Sequence, residues 1–143
     1  MTDPGADDHE IATRVWARMR ALVLDRHERR REVCEALGMS FIKVKALRRV
    51  AVRPLTMSEL TEQLNTDRPY TTHVVDELVR RGLVLREPHP EDRRSRVVTV
   101  TAPGAVAALE AERILGEPPK SMLALSSAEL AELDRLTAQI ADD

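Results

Sequence analysis

The chain has 143 residues, 43% hydrophobic and 32% charged, with a net charge of −2, the composition of one ordinary globular domain that buries roughly 70% of its unfolded surface without needing a disulfide or metal. Cys34 is alone, which excludes an intramolecular disulfide, and the longest uncharged stretch, Val97 to Leu109, is shorter than the ~18 apolar residues of a membrane span. Residues 26–53 carry +6 and 68–96 carry +2, while 1–25, 54–67 and 102–143 carry −2, −3 and −5, so an anionic partner is expected at the middle of the chain.

Ile11, Val15, Met19, Leu22 and Val23, with Trp16 beside them, recur at helical spacing and predict a long amphipathic helix over 7–30. A short helical segment follows around Val33 and Leu37, ended by Gly38 in the left-handed conformation that glycine adopts cheaply. Ser40 is placed to cap a third helix with Phe41, Val44, Leu47 and Val50 inward, and Pro54 stops it. Thr56 and Glu59 form a T-x-x-E capping box that opens a two-turn helix at Met57, with Leu60 and Leu64 inward. After a break at Asn65 and Thr66, Asp67 caps a helix that has Pro69 in its first turn and runs to Arg81, with Gly82 as its stop.

So short a turn forces the two helices to cross at a large angle, a helix-turn-helix. Its second helix turns Val74, Val75, Leu78 and Val79 toward the core and presents Arg68, Tyr70, Thr72 and His73 outward. Beyond Gly82 the period becomes extended: Leu83–Glu87 reads as a strand, Pro88–Ser95 as a polar turn and Arg96–Thr101 as the returning strand. Arg93 and Arg94 at its tip can reach a minor groove, whose narrow stretches concentrate negative potential.

Thr101 then caps a helix through Val106, Leu109 and Ile114, residues 116–119 interrupt it, and Ser126 with Glu129 forms a second capping box before the stripe Leu130, Leu133, Leu136 and Ile140. A winged helix of about 50 residues has too little surface to cover these extra helices, so their stripes are expected to pack on a second chain. The expected fold is mainly α with a small β-hairpin wing, a winged helix-turn-helix with N- and C-terminal dimerisation helices.

The run from Pro54 to Gly104 resembles the winged helix of MarR-type bacterial transcription regulators. Its most specific part is Asp92-Arg93-Arg94-Ser95, followed by alternating apolar residues and Thr101, which matches that family's D-x-R-S wing signature. The order of the preceding helices, Pro118-Pro119 and the Leu-rich final helix extend the resemblance over nearly the whole chain. It implies one domain over 1–143, in which 7–37 and 103–143 dimerise and 40–102 is the DNA-binding lobe. It also implies a homodimer on a pseudo-palindromic operator, acting by default as a ligand-responsive repressor, with a small-molecule site between the dimerisation helices and the lobe.

The expected DNA contacts are Arg68, Pro69, Tyr70, Thr71, Thr72, His73, Arg93, Arg94 and Arg96, against the plainer reading of a solvated helix and exposed charges. For Arg94 the resemblance and the local geometry agree, and Asp92 positions it. Trp16, Phe41 and Tyr70 are the only aromatics, too few for single-strand stacking platforms, so duplex DNA is the expected partner. The two recognition helices would enter major grooves ~34 Å apart while each Arg94 probes the flanking minor groove. A ligand favouring another spacing would then shift the dimer away from DNA.

The family's site and the predicted helix faces suggest Trp16, Met19, Phe41 and Lys45 as effector-binding residues, for a small molecule of aromatic or anionic character; ordinary core and surface roles compete. His9, His27, His73 and His89 fall on four different elements, and no phosphate loop, nucleophile elbow or paired carboxylate stands out, so no enzyme, cofactor or metal site is expected. Acidic residues at the N-terminus, where a secretory signal carries basic ones, point to the cytoplasm and no membrane association. Two other readings stay open. One is a winged-helix protein interaction module without DNA binding, and the other is a thiol-based redox regulator using Cys34, which lacks a second, resolving cysteine.

Overall fold

The computed structural model describes residues 4–26 and 29–142. The N-terminal periodicity yields α1 (Pro4–Arg20), which widens into a π-helical segment, Ala21–Arg26, and is followed by α2 (Arg29–Leu37). The helix expected over 7–30 thus begins earlier and changes pitch at Ala21, in a segment whose Val23 and Leu24 are exposed in the single chain. His27 lies outside the described residues. Gly38 ends α2 at φ +65°, and the Met39 N–H closes the turn on the Cys34 carbonyl at 3.2 Å.

Helix α3 (Phe41–Val52) runs through the centre of the lobe, packed against α2 and against three later helices and a strand of the wing. Ser40 occupies its N-cap position, but its hydroxyl makes no capping bond; with Lys43 at the third helical position there is no carboxylate to complete a box. Strand β1 (Leu55–Thr56), α4 (Met57–Leu64) and α5 (Arg68–Arg80) follow. The Thr56 and Glu59 side chains exchange hydrogen bonds with each other's backbone N–H at 3.1 Å. Asn65 turns the chain at φ 52°, and Asp67 accepts from the Tyr70 N–H at 2.8 Å.

The Thr56 N–H and the Arg53 guanidinium hold the Glu59 carboxyl below the usual carboxylate range. Its contribution is therefore present above the unfolded carboxylate pKa of about 4.3 and is lost as pH falls through the lower folded value. Melting temperatures at pH 7 and pH 3 are expected to differ less in Glu59→Gln than in the parent.

Strands β2 (Val84–Pro88) and β3 (Arg96–Val100) form the hairpin, and β1 pairs on the far side of β3, giving an antiparallel sheet of order β1-β3-β2. The register places Leu55 opposite Val98 and Arg86 opposite Val98 on its other edge. The two-residue β1 is not anticipated from sequence, because alternation cannot be read from so short a segment. The returning strand stops at Val100 because Thr101 is already the N-cap of α6 (Ala102–Leu115), accepting from the Gly104 N–H at 3.1 Å. Helix α7 (Lys120–Leu123) is an extra turn within the expected interruption, and α8 (Ser127–Ala141) opens on the Ser126–Glu129 capping box.

Val33, Val44, Leu47, Leu60, Val74, Val75, Leu78, Val84 and Val98 form the fully buried core. Val79, expected inward, is 37% exposed, because it lies beyond the Val75 edge of the buried stripe formed by Thr71, Val74, Val75 and Leu78. Helix α6 faces the lobe through Ala108, Ala111 and Ile114 and turns Val106 and Leu109 outward, while α8 has no buried residue. The architecture is the expected one, mainly helical with a small antiparallel wing. Among the described residues no helix is long and apolar enough to cross a membrane.

Candidate nucleic-acid interface and effector cavities

Asp67 and Pro69 start α5 cleanly, so its first turn projects Arg68, Pro69 and Tyr70 into solvent with His73 beside them. Tyr70 and His73 stack, with ring centroids 6.3 Å apart and planes at 23°. Arg68 donates to the Ser58 hydroxyl at 3.2 Å, which holds its guanidinium beside α4. Thr72 is half-buried and donates back to the Arg68 carbonyl at 3.0 Å.

Thr71, counted from sequence among the DNA contacts, is fully buried, so it can touch no ligand at that surface. Its position was legible after all: Thr71, Val74, Val75 and Leu78 follow the i, i+3, i+4, i+7 pattern of a buried stripe. Its hydroxyl meets that of Thr61 on α4 at 2.9 Å.

The wing is organised by short polar bonds. Asp92 accepts from the Arg94 N–H at 3.0 Å, Ser95 donates to the Asp92 carbonyl at 3.0 Å, and the His89 N–H closes the loop on Ser95 at 2.9 Å. Arg93, Arg94 and Arg96 are exposed, and among the described residues their guanidinium groups make no ion pair or hydrogen bond. Arg86 on β2 pairs with Asp76 on α5 at 2.6 Å. That ion pair ties the hairpin to the helix and was not singled out in the sequence.

The effector candidates do not converge. Trp16 and Met19 line a cavity of about 900 Å³ between α1 with its π-helical end and α7–α8, floored by Leu22, Val23, Leu130 and Leu133. Phe41 lines a neighbouring cavity of about 340 Å³ with Arg29, Arg30, Arg48, Leu115 and Met122. Leu22, Val23, Leu24 and Met122 border both cavities, whereas Lys45 borders neither. In the smaller cavity the Arg30 guanidinium stands 4.5 Å above the Phe41 ring, and Arg29 donates to the Glu117 carbonyl at 3.2 Å. Arg48 meets Glu112 at 2.6 Å, and this hydrogen bond lowers the pKa of the Glu112 carboxyl. Burial pushes the Cys34 thiol up, away from the thiolate that a redox sensor needs.

Residues 47–95, from the second half of α3 to the wing turn, match the model of the MarR family, which bears out the sequence resemblance. No curated protein sequence matches the chain. Among solved structures, the chain is similar to the transcriptional regulator BldR from Sulfolobus solfataricus, with 20% identity, 99% of this chain and 100% of that one covered, and a TM-score of 0.64. It is similar to a cysteine-to-serine mutant of MarR from E. coli complexed with operator DNA, with 25% identity, coverage of 87% and 91%, and a TM-score of 0.59. It is also similar to NadR in complex with 4-hydroxyphenylacetate, with 21% identity, coverage of 88% and 89%, and a TM-score of 0.62.

Proposed function

We propose that this chain is a MarR-type regulator of transcription that binds double-stranded DNA as a homodimer and responds to a small molecule. The observation that carries this reading is the outward N-terminal turn of α5 beside a wing whose Arg94 guanidinium is unengaged, inside the segment that matches the family. The solved relatives with operator DNA and with 4-hydroxyphenylacetate support both halves of it. Residues 40–102 form the DNA-binding lobe, and 7–37 with 103–143 form the dimerisation helices, where Trp16 is 61% exposed in the single chain. The smaller cavity, with three guanidinium groups and Phe41, suits an aromatic or anionic effector. An anion entering there competes with Glu112 for Arg48, the ion pair between α3 of the lobe and α6. A cytoplasmic, non-enzymatic repressor follows as the default, because an occupied operator blocks polymerase.

Fluorescence anisotropy on duplexes tiling the gene's own upstream DNA tests this. Saturable binding is expected at one pseudo-palindrome. Arg94→Ala should weaken it and lower the slope of log affinity against log salt by ~0.9 for each phosphate that is no longer neutralised, ~1.8 for the two wings. Binding indifferent to sequence and to Arg94 would favour the protein-interaction reading instead.

A further inference from the structure

Thr71 is the one buried polar side chain among the described residues, and the Thr61–Thr71 contact of 2.9 Å lies where α4 packs on α5. Thr61 Oγ1 is also 2.7 Å from the Met57 carbonyl, and Thr71 Oγ1 is 2.9 Å from the Asp67 carbonyl. Each hydroxyl has a single proton, so two protons serve three contacts. If both pointed back along their own helices, two oxygens would face each other unbridged, so one hydroxyl donates across and the other back.

We infer that Thr61 and Thr71 are positioning residues for sequence reading: their shared proton sets how closely α5 approaches α4, and hence where Tyr70, Thr72 and His73 stand in the groove. The inference rests on the DNA-binding reading above. An O–H···O bond holds two heavy atoms about 2.8 Å apart, whereas a methyl in place of either hydroxyl needs about 3.5 Å or more. Valine therefore keeps the shape of the side chain and widens the crossing by more than the ~0.5 Å that a binding constellation tolerates. Tyr70 and Thr72 flank Thr71 on the same turn, so the displacement reaches the reading residues undiluted.

The test uses the full chain and a duplex selected by it from a random library, compared with a scrambled duplex of equal length. Thr71→Val is expected to reduce the affinity ratio between the two about tenfold or more, the cost of one poorly read base pair. Affinity for the scrambled duplex should hold, and Thr71→Ser, which keeps the hydroxyl, should stay within about threefold of the parent. In Thr71→Val the Thr61 hydroxyl still donates to the Met57 carbonyl, so Thr61→Val/Thr71→Val, which removes the shared proton altogether, should leave the ratio as low as in Thr71→Val. A ratio that follows melting temperature across the set, or that survives in Thr71→Val, overturns the inference. If the parent selects no sequence, the DNA reading fails by itself. Crystal structures of parent and Thr71→Val then decide the clamp: an unchanged α4–α5 separation overturns it, and a widened one upholds it.

Discussion

Gly104→Ala is expected to lower the stability of the fold by about 3 kcal/mol or more, a large value for one added methyl. A Cβ at Gly104 would stand 1.9 Å from the Leu83 carbonyl oxygen and 2.8 Å from Val100 Cγ2. Neither neighbour can yield cheaply. The Leu83 carbonyl accepts from the Thr101 N–H at 3.1 Å, and the Thr101 hydroxyl, which caps α6, also donates to the Gly82 carbonyl at 2.7 Å. The corner between α5, β2 and α6 thus opens as a unit or not at all, and its opening would release α6 from the lobe. Gly82→Ala is the informative contrast, because nothing lies within 4 Å of a Cβ there and only the left-handed φ of +74° is strained, worth about 1 kcal/mol. Urea unfolding of both variants should rank them clearly apart. A Gly104→Ala midpoint equal to that of Gly82→Ala would mean that the corner relaxes in a way these contacts do not allow.

That corner illustrates what the sequence could and could not convey. Thr56 with Glu59, Asp67, Thr101 and Ser126 with Glu129 were legible as caps because donor and acceptor lie three residues apart, where chain geometry alone brings them together. The wing turn was legible for the same reason, with Asp92 bonding two residues on. Contacts that depend on which helix face meets which were not. Thr61 and Thr71 are ten positions apart and Arg48 and Glu112 sixty-four; periodicity marks each buried face but not its partner. The effector candidates failed to converge for this reason: Lys45 was chosen from a predicted face, while the cationic lining comes from Arg29 and Arg30 on α2 and Arg48 on α3. β1 needed β3 to exist at all. Thr71 was a different kind of miss, since its stripe was visible and its polarity outweighed it.

Charging the outer face of α8 is expected to leave the lobe folded, yield monomers and weaken binding to a selected operator ~10²–10⁴-fold. Leu136 and Ile140 are 41% and 58% exposed in the single chain, so glutamate there removes little packing of the chain's own, and glutamate forms helix as readily as leucine. Only a second chain covering these residues would suffer, because it would have to bury an unpaired carboxylate. In a two-fold interface each substitution also acts twice. The DNA consequence follows from linkage: once one lobe of a dimer is seated, the other sees its half-site at an effective concentration of order millimolar, and a monomer forfeits that advantage. Light scattering on Leu136→Glu/Ile140→Glu, anisotropy with the selected duplex and urea unfolding separate the possibilities. A variant that stays dimeric removes α8 from the interface, and a parent that is itself monomeric removes the homodimer. A monomeric variant that still binds the full operator as tightly would detach dimerisation from recognition and leave α1 and α8 without the role their exposed apolar faces demand.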